Sequence, residues 1–144
     1  METSLTYWFI FIGNALLLER DGDNYRVPCY SAPPLPLKDW TPQQELPPLD
    51  GISCLACRVD LPPADSSHWV SMGLRETWNV LPFQFYNMAG KAYELIYWDS
   101  NTKYCGFCGA PMKRDTPISK KCTHCGKEVW PQVSPAIIVR IRKG

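Results

Sequence analysis

Only two histidines occur among the 144 residues, and neither His68 nor His124 lies in a Ser or Cys pattern that an imidazole base could activate. There is no HExxH, and no glycine-rich loop precedes a helix-forming run. The common zinc-protease and phosphate-cradle arrangements are therefore excluded. The carboxylates are scattered, which leaves no acidic cluster able to hold Mg²⁺ or Mn²⁺. Long apolar runs are missing too. The best candidate, YWFIFIGNALLL at residues 7–18, lacks a basic start and is broken by Gly13-Asn14. Neither a targeting segment nor a membrane partner is expected from it. With no signal peptide, seven cysteines point to a reducing compartment, where CxxC pairs are more often metal or redox sites than disulfides. A cytoplasmic location is expected.

Net charge is nearly absent at +1, but the balance hides an asymmetry. Residues 1–100 carry six Lys/Arg against twelve Asp/Glu, and residues 101–144 carry nine against two. The split suggests two modules. The basic one would suit a phosphate-bearing partner, or would neutralise its own acidic neighbour as a solvated surface. Apolar residues make up 45% of the chain, with six Trp and seven Tyr, so wholesale disorder is excluded.

Tyr7–Ile12 and Ala15–Arg20 are runs of strand formers joined by Gly13-Asn14, a two-residue hairpin signal. Asp21-Gly22-Asp23-Asn24 reads as the next turn and Tyr25–Tyr30 as a third strand. Seven prolines then fall within residues 28–48, which predicts an extended surface segment rather than a helix or central strand. Asp50-Gly51 is a turn before the strand candidate Ile52–Asp60, and Leu61-Pro62-Pro63 closes that strand. From Ser66 to Asp99 two helices are expected. The first covers about His68–Val80, capped by Ser66 or Ser67. The second has Pro82 in its first turn. In it Phe85, Met88/Ala89, Ala92 and Leu95/Ile96 form one apolar stripe. The fold class is thus α+β: a small N-terminal sheet with covering helices over residues 1–100, followed by a four-Cys zinc ribbon over 101–133. Val129–Val133 would close the ribbon as a short strand. Residues 134–144 contain the β-branched run Ala136–Ile141, expected as the first strand of a further domain that is cut short.

The strongest chemical signal is Cys105-Gly-Phe-Cys108-Gly and Cys122-Thr-His-Cys125-Gly. Two residues between the cysteines of each pair let both sulfurs face one ion, and Gly109 and Gly126 can take the turn conformation that side chains resist. Four thiolates satisfy tetrahedral Zn²⁺ and leave no open position, so the metal should be structural. A redox dithiol or a disulfide pair is the alternative. Cys54 and Cys57 form another CxxC, but the stretch around them reads as a strand, on which residues three apart face opposite sides. They are expected as buried small hydrophobes, or, with Cys29 and His68, as a second metal or redox site. His124 is expected to be an exposed bystander.

Leu74-Arg75, AGKAYELIYWDSNTKYCGFCGAPM and KKCTHCGKEVWPQVSPAIIVRIRKG together resemble the NADH pyrophosphatase family of Nudix hydrolases. The resemblance is strong from about Leu74 to Arg142. It implies an N-terminal α+β domain, a zinc ribbon and a following catalytic Nudix domain. The chemistry it implies is cleavage of the diphosphate of NADH or NAD⁺ to a nicotinamide mononucleotide and AMP, or removal of NAD caps from RNA. Mg²⁺ or Mn²⁺ would be held by Nudix-box glutamates. This sequence contains no such box, so the chain by itself is expected to be inactive and no catalytic residue is assigned.

By the same resemblance, Arg75 matches an arginine that reaches the dinucleotide, and Trp130, before Pro131-Gln132, matches an aromatic beside the nucleotide. The plain alternatives are a surface arginine and a tryptophan that caps the ribbon. Family members can carry a ligand-contacting Glu between the knuckles. Asp115–Ile118 offers none, and that role stays unassigned. The expected function is the non-catalytic part of such an enzyme, contributing to the substrate site and to a homodimer. The alternative is a stand-alone zinc-ribbon module that binds RNA or protein through its basic segment, with Tyr104, Phe107 and Trp130 as stacking platforms.

Overall fold

Thr6–Ile12 (β1) and Ala15–Asp21 (β2) form the expected hairpin, with Gly13 at φ +59° in the two-residue turn. The structure, a computed structural model, describes residues 4–144. Residues 1–3, with which the expected N-terminal domain opens, lie outside the described residues. The two strands pair only beside their turn, at Phe11–Leu16 and Ile12–Ala15. Beyond it they part, and the expected third strand enters the gap in two pieces. Asn24–Arg26 (β3) pairs with β2, and Cys29–Tyr30 (β4) pairs with β1. Pro28 separates them, because it has no N–H to offer a ladder. Its carbonyl still accepts the Trp8 N–H at 2.8 Å.

Gln44–Leu49 (β5) and Ile52–Val59 (β6) form a second hairpin, with positive φ at both Asp50 and Gly51. β6 lies parallel to β1 along its whole length, Thr6 opposite Ser53 through Ile12 opposite Val59. β5 is an outer strand, and Pro47-Pro48 falls where its register shifts between Leu46 and Leu49. That is where a sheet tolerates proline.

The first expected helix is not there. Trp69–Gly73 is instead a strand (β7) on the free edge of β2, Glu19 opposite Trp69 through Ala15 opposite Gly73, followed by a single 3₁₀ turn at Glu76–Asn79. Two causes combine. The edge of β2 holds unpaired N–H and C=O groups, and Val70 and Met72 alternate with Trp69 between the two faces of the sheet. That period of two is the signal overlooked in a run short enough to read either way. Asp65 accepts hydrogen bonds from the backbone and hydroxyl of Ser67, so the proposed cap residues belong to a turn.

Phe83–Asn101 (α1) is the second expected helix, entered through Pro82. Met88, Ala89, Ala92 and Leu95 are buried against Phe9, Phe11, Leu16, Leu18, Cys54 and Ala56. The opposite sheet face carries Trp8, Ile10, Leu17 and Cys57, covered by Leu35 and Leu37 of the proline-rich segment and by Trp69. Both faces of β1 are therefore sealed. Trp8, Phe9, Ile10 and Phe11 are each at most 4% exposed, hence a continuous apolar run instead of alternation.

The ribbon is a three-stranded sheet of Met112–Thr116 (β8), Ser119–Cys122 (β9) and Glu128–Val129 (β10). Its last strand stops before Trp130-Pro131 instead of running to Val133. Residues 131–144 carry no strand, and Ile137, Ile138, Val139 and Ile141 stand exposed. The run expected as a strand has no neighbour among the described residues to take its backbone hydrogen bonds. Phe9→Ala should destabilise the chain by about 3–5 kcal/mol, the usual loss for emptying a sealed aromatic site. Phe107→Ala, at an exposed ring, should change urea denaturation by no more than about 0.5 kcal/mol.

Candidate metal centre

The four predicted sulfurs converge. One ligand atom from each of Cys105, Cys108, Cys122 and Cys125 lies within 4.8 Å of all the others. Cys105 Sγ is 3.7 Å from Cys125 Sγ, and Cys108 Sγ is 3.4 Å from Cys122 Sγ. Bonds of about 2.3 Å to a tetrahedral ion put sulfurs about 3.8 Å apart, so the cluster is the right size for one metal. Each pair sits on a knuckle that turns through a glycine, Gly109 at φ +79° and Gly126 at φ +76°. The turns are closed by Cys105 N–H to Ala110 O and Cys122 N–H to Lys127 O, both at 2.8 Å.

Backbone donors also aim at the sulfurs. Phe107 N–H reaches Cys105 Sγ, and the N–H groups of His124 and Cys125 reach Cys122 Sγ, all at 3.4 Å. The N–H groups of Cys108 and Phe107 hold the Cys105 thiol below its ordinary value. At Cys122 burial acts upward, but the N–H groups of His124 and Cys125 and the facing sulfurs outweigh it and bring the thiol to about 6. Cys125 goes the other way. The Lys127 N–H acts downward on it, yet burial and three facing sulfurs push it up to about 11. Four thiols this close cannot all ionise without a cation among them, and the donor set fits a metal that is satisfied by sulfur alone.

Sequence reasoning missed what ties this centre to the sheet domain. Lys120 of β9 is buried, and its ammonium donates to Asp99 O at 2.7 Å and Thr102 O at 2.9 Å, with Asp99 Oδ1 at 3.0 Å. These carbonyls end α1, where a cation is favoured by the helix dipole. Arg114 of β8 donates to Asp99 Oδ1 at 2.6 Å, Gln44 Oε1 at 2.8 Å and Pro117 O at 2.7 Å. Both cations lie over the Trp98 ring, at 5.3 and 5.5 Å. Two positive charges of the basic segment are thus engaged by the neighbouring module. The remaining seven form no ion pair among the described residues.

Residues 5–98, the sheet domain and most of α1, match the family described as NUDIX-like, an NADH pyrophosphatase-like rudimentary NUDIX domain. The chain belongs to this family. An NAD-capped RNA hydrolase NudC of Deinococcus radiodurans is 39% identical over 74 residues, covering 51% of this chain and 26% of that protein. The NAD-capped RNA hydrolase NudC of Stutzerimonas stutzeri is 30% identical over 118 residues, covering 74% of this chain and 42% of that protein. The NudC of Pectobacterium carotovorum is 37% identical over 60 residues, covering 41% of this chain and 23% of its own length. The matched region therefore spans less than half of each of these relatives.

Of the other predicted residues in this NADH pyrophosphatase-like chain, Arg75 is exposed just before the 3₁₀ turn, not on a helix. That turn abuts the start of α1, where Trp78 stacks edge-on against Phe83 and Tyr86. Trp130 lies near the other end, in a cleft of about 340 Å³ shared with Glu94, Tyr97 and Trp98. From Phe83 to Trp98 the helix rises roughly 22 Å, so the structure does not bring Arg75 and Trp130 together. Cys54 and Cys57 face opposite sides of the sheet, and burial pushes Cys57 up to about 11, which keeps it a thiol. Among the described residues the only metal-sized cluster is the four-cysteine one. His68 packs edge-on against Trp69, and His124 stays outside the sulfur set. No described helix is long and apolar enough to cross a membrane.

Cys122 has a depressed folded-state value, so its thiolate form supports the ribbon above the ordinary thiol range and that support is lost as pH falls through about 6. Protons compete with metal for the four thiolates, so bound metal should be released on acidification, measurable with a chromogenic chelator. Lys120→Ala leaves the Asp99 and Thr102 carbonyls without their donor and Asp99 with Arg114 as its one remaining cation. It should cost about 2–3 kcal/mol in thermal unfolding while metal affinity is retained.

Proposed function

We propose that the metal is a single structural Zn²⁺, and that the chain supplies the N-terminal domain and zinc ribbon of a cytoplasmic, homodimeric NAD(H) diphosphatase. The observation that carries this is continuity. A NADH pyrophosphatase-like domain runs directly into a four-thiolate ribbon, and the Stutzerimonas relative, an NAD-capped RNA hydrolase, aligns across 74% of the chain. The substrate class is the diphosphate of NADH, NAD⁺ or an NAD cap on RNA. Four sulfurs leave zinc no open position, so its part is to hold the ribbon and not to activate water. Mg²⁺ or Mn²⁺ would be held by Nudix-box glutamates, which this sequence does not contain.

Within this reading Arg75 and Trp130 are substrate contacts. A guanidinium suits a diphosphate through paired N–H donors, and the half-exposed Trp130 offers a ring face beside a cleft. Their separation along α1 suits an extended ligand such as capped RNA, or a site completed by a second copy of the chain. Neither residue performs chemistry.

Elemental analysis should find one zinc per chain. Incubated with NADH and Mg²⁺ or Mn²⁺, the purified chain should release no AMP, and steady AMP production would overturn the non-catalytic assignment. NAD-capped RNA should bind the zinc-loaded chain, with Arg75→Ala and Trp130→Ala each weakening it about tenfold, as expected for losing one charged or stacking contact. Equal binding by both variants would remove these residues from the substrate site.

A further inference from the structure

Arg58, on β6, is a cation without a counterion. Its Nε is buried with no hydrogen-bond partner, and no carboxylate among the described residues pairs with it. Burying part of a guanidinium unpaired is costly, and proteins ordinarily avoid it by pairing or by binding an anion.

The surroundings say which. Arg58 lines a cavity of about 190 Å³ at the seam between the sheet domain and the ribbon, together with Arg114, Gln43, Gln44, Asp99 and Ser100. Asp99 is the one carboxylate there, and it is already shared between Arg114 at 2.6 Å and Lys120 at 3.0 Å. The seam therefore holds an excess of positive charge even after its internal pairs are formed. On its other side Arg58 borders a second cavity, lined by leucines and prolines, whose charged residues Lys38 and Asp60 neutralise each other at 3.0 Å. No anion is supplied from that side.

We propose that this seam is a phosphate-binding site, with Arg58 as its principal ligand and Arg114 as a second donor. Two planar guanidiniums around one small cavity match the several oxygens of a phosphate group, and Gln43 and Ser100 add neutral hydrogen-bonding capacity. The volume holds a phosphate head group and not a whole nucleotide, so any attached nucleoside would extend outward. Because Arg114 also anchors the ribbon, phosphate bound here would bridge the two modules. The site is separate from the four cysteines and from Arg75 and Trp130, and it does not depend on the functional reading above.

Titration of the full zinc-loaded chain with inorganic phosphate, followed by calorimetry at constant ionic strength with chloride as the control anion, tests this. One phosphate should bind saturably. Arg58→Gln should weaken it at least tenfold, and Arg58→Lys, which keeps the charge but loses the fork, should fall between. In phosphate-free buffer Arg58→Gln should melt no lower than the parent, since it removes an unpaired charge. Should that variant fail to fold, the Arg58→Lys and parent titrations decide. Two further arms distinguish the source: competition by AMP but not by a 5′-hydroxyl oligoribonucleotide identifies a free phosphomonoester, and the reverse identifies an RNA backbone. Absence of saturable binding to the parent chain, or unchanged binding by Arg58→Gln, overturns the proposal.

Discussion

The placement of the ribbon depends on Asp99. The ribbon buries few apolar side chains of its own, Cys105 and Cys122 being its buried hydrophobic residues. Packing alone could not hold it in a fixed orientation on a separate domain. Asp99 sits at the end of the helix that covers the main sheet, and two cations from adjacent ribbon strands meet on it. Lys120 also takes two carbonyls that α1 would otherwise leave unpaired, so one ammonium ends the helix and docks the ribbon. Exposed ion pairs contribute little, but Lys120 is buried and Asp99 three-quarters so, which raises the penalty for separating them.

Charge and metal act at different levels here. The thiolates make the ribbon a defined object, since four close sulfurs repel one another until a cation joins them. The Asp99 cluster then makes that object part of the larger fold. Trp130, one residue beyond β10, inherits its position from both. Its cleft against Glu94, Tyr97 and Trp98 exists only while the ribbon is docked.

Much of the sheet domain was legible in advance because local chemistry and tertiary demand agreed. Gly13-Asn14 marks a hairpin between two apolar runs, whereas Asp50-Gly51 reads only as a turn because the prolines of Gln44–Leu49 hide the strand before it. The α1 stripe of Met88, Ala89, Ala92 and Leu95 is long enough for its period to be unambiguous. Trp69–Gly73 was misread because five residues cannot distinguish the two periods, and what decided the matter was the vacant edge of β2. Ala136–Ile141 has strand propensity without a partner strand, and propensity alone does not satisfy a backbone. Arg58, Gln44 and Asp99 gave no signal, being ordinary polar residues scattered over more than fifty positions.

What the sequence alone determined is whatever its spacing enforces. Two residues between cysteines and a glycine after each pair dictate the metal knuckles, and the opposite-facing geometry of a strand separates Cys54 from Cys57. Family membership was likewise visible in the run from Leu74 to Arg142. Only the tertiary structure decided which charges meet. Asp99, Arg114 and Lys120 come together because helix end and ribbon pack side by side, whereas Arg75 and Trp130 are held apart by the length of α1. Long-range pairing follows from the path of the chain through space, and no local pattern encodes that path.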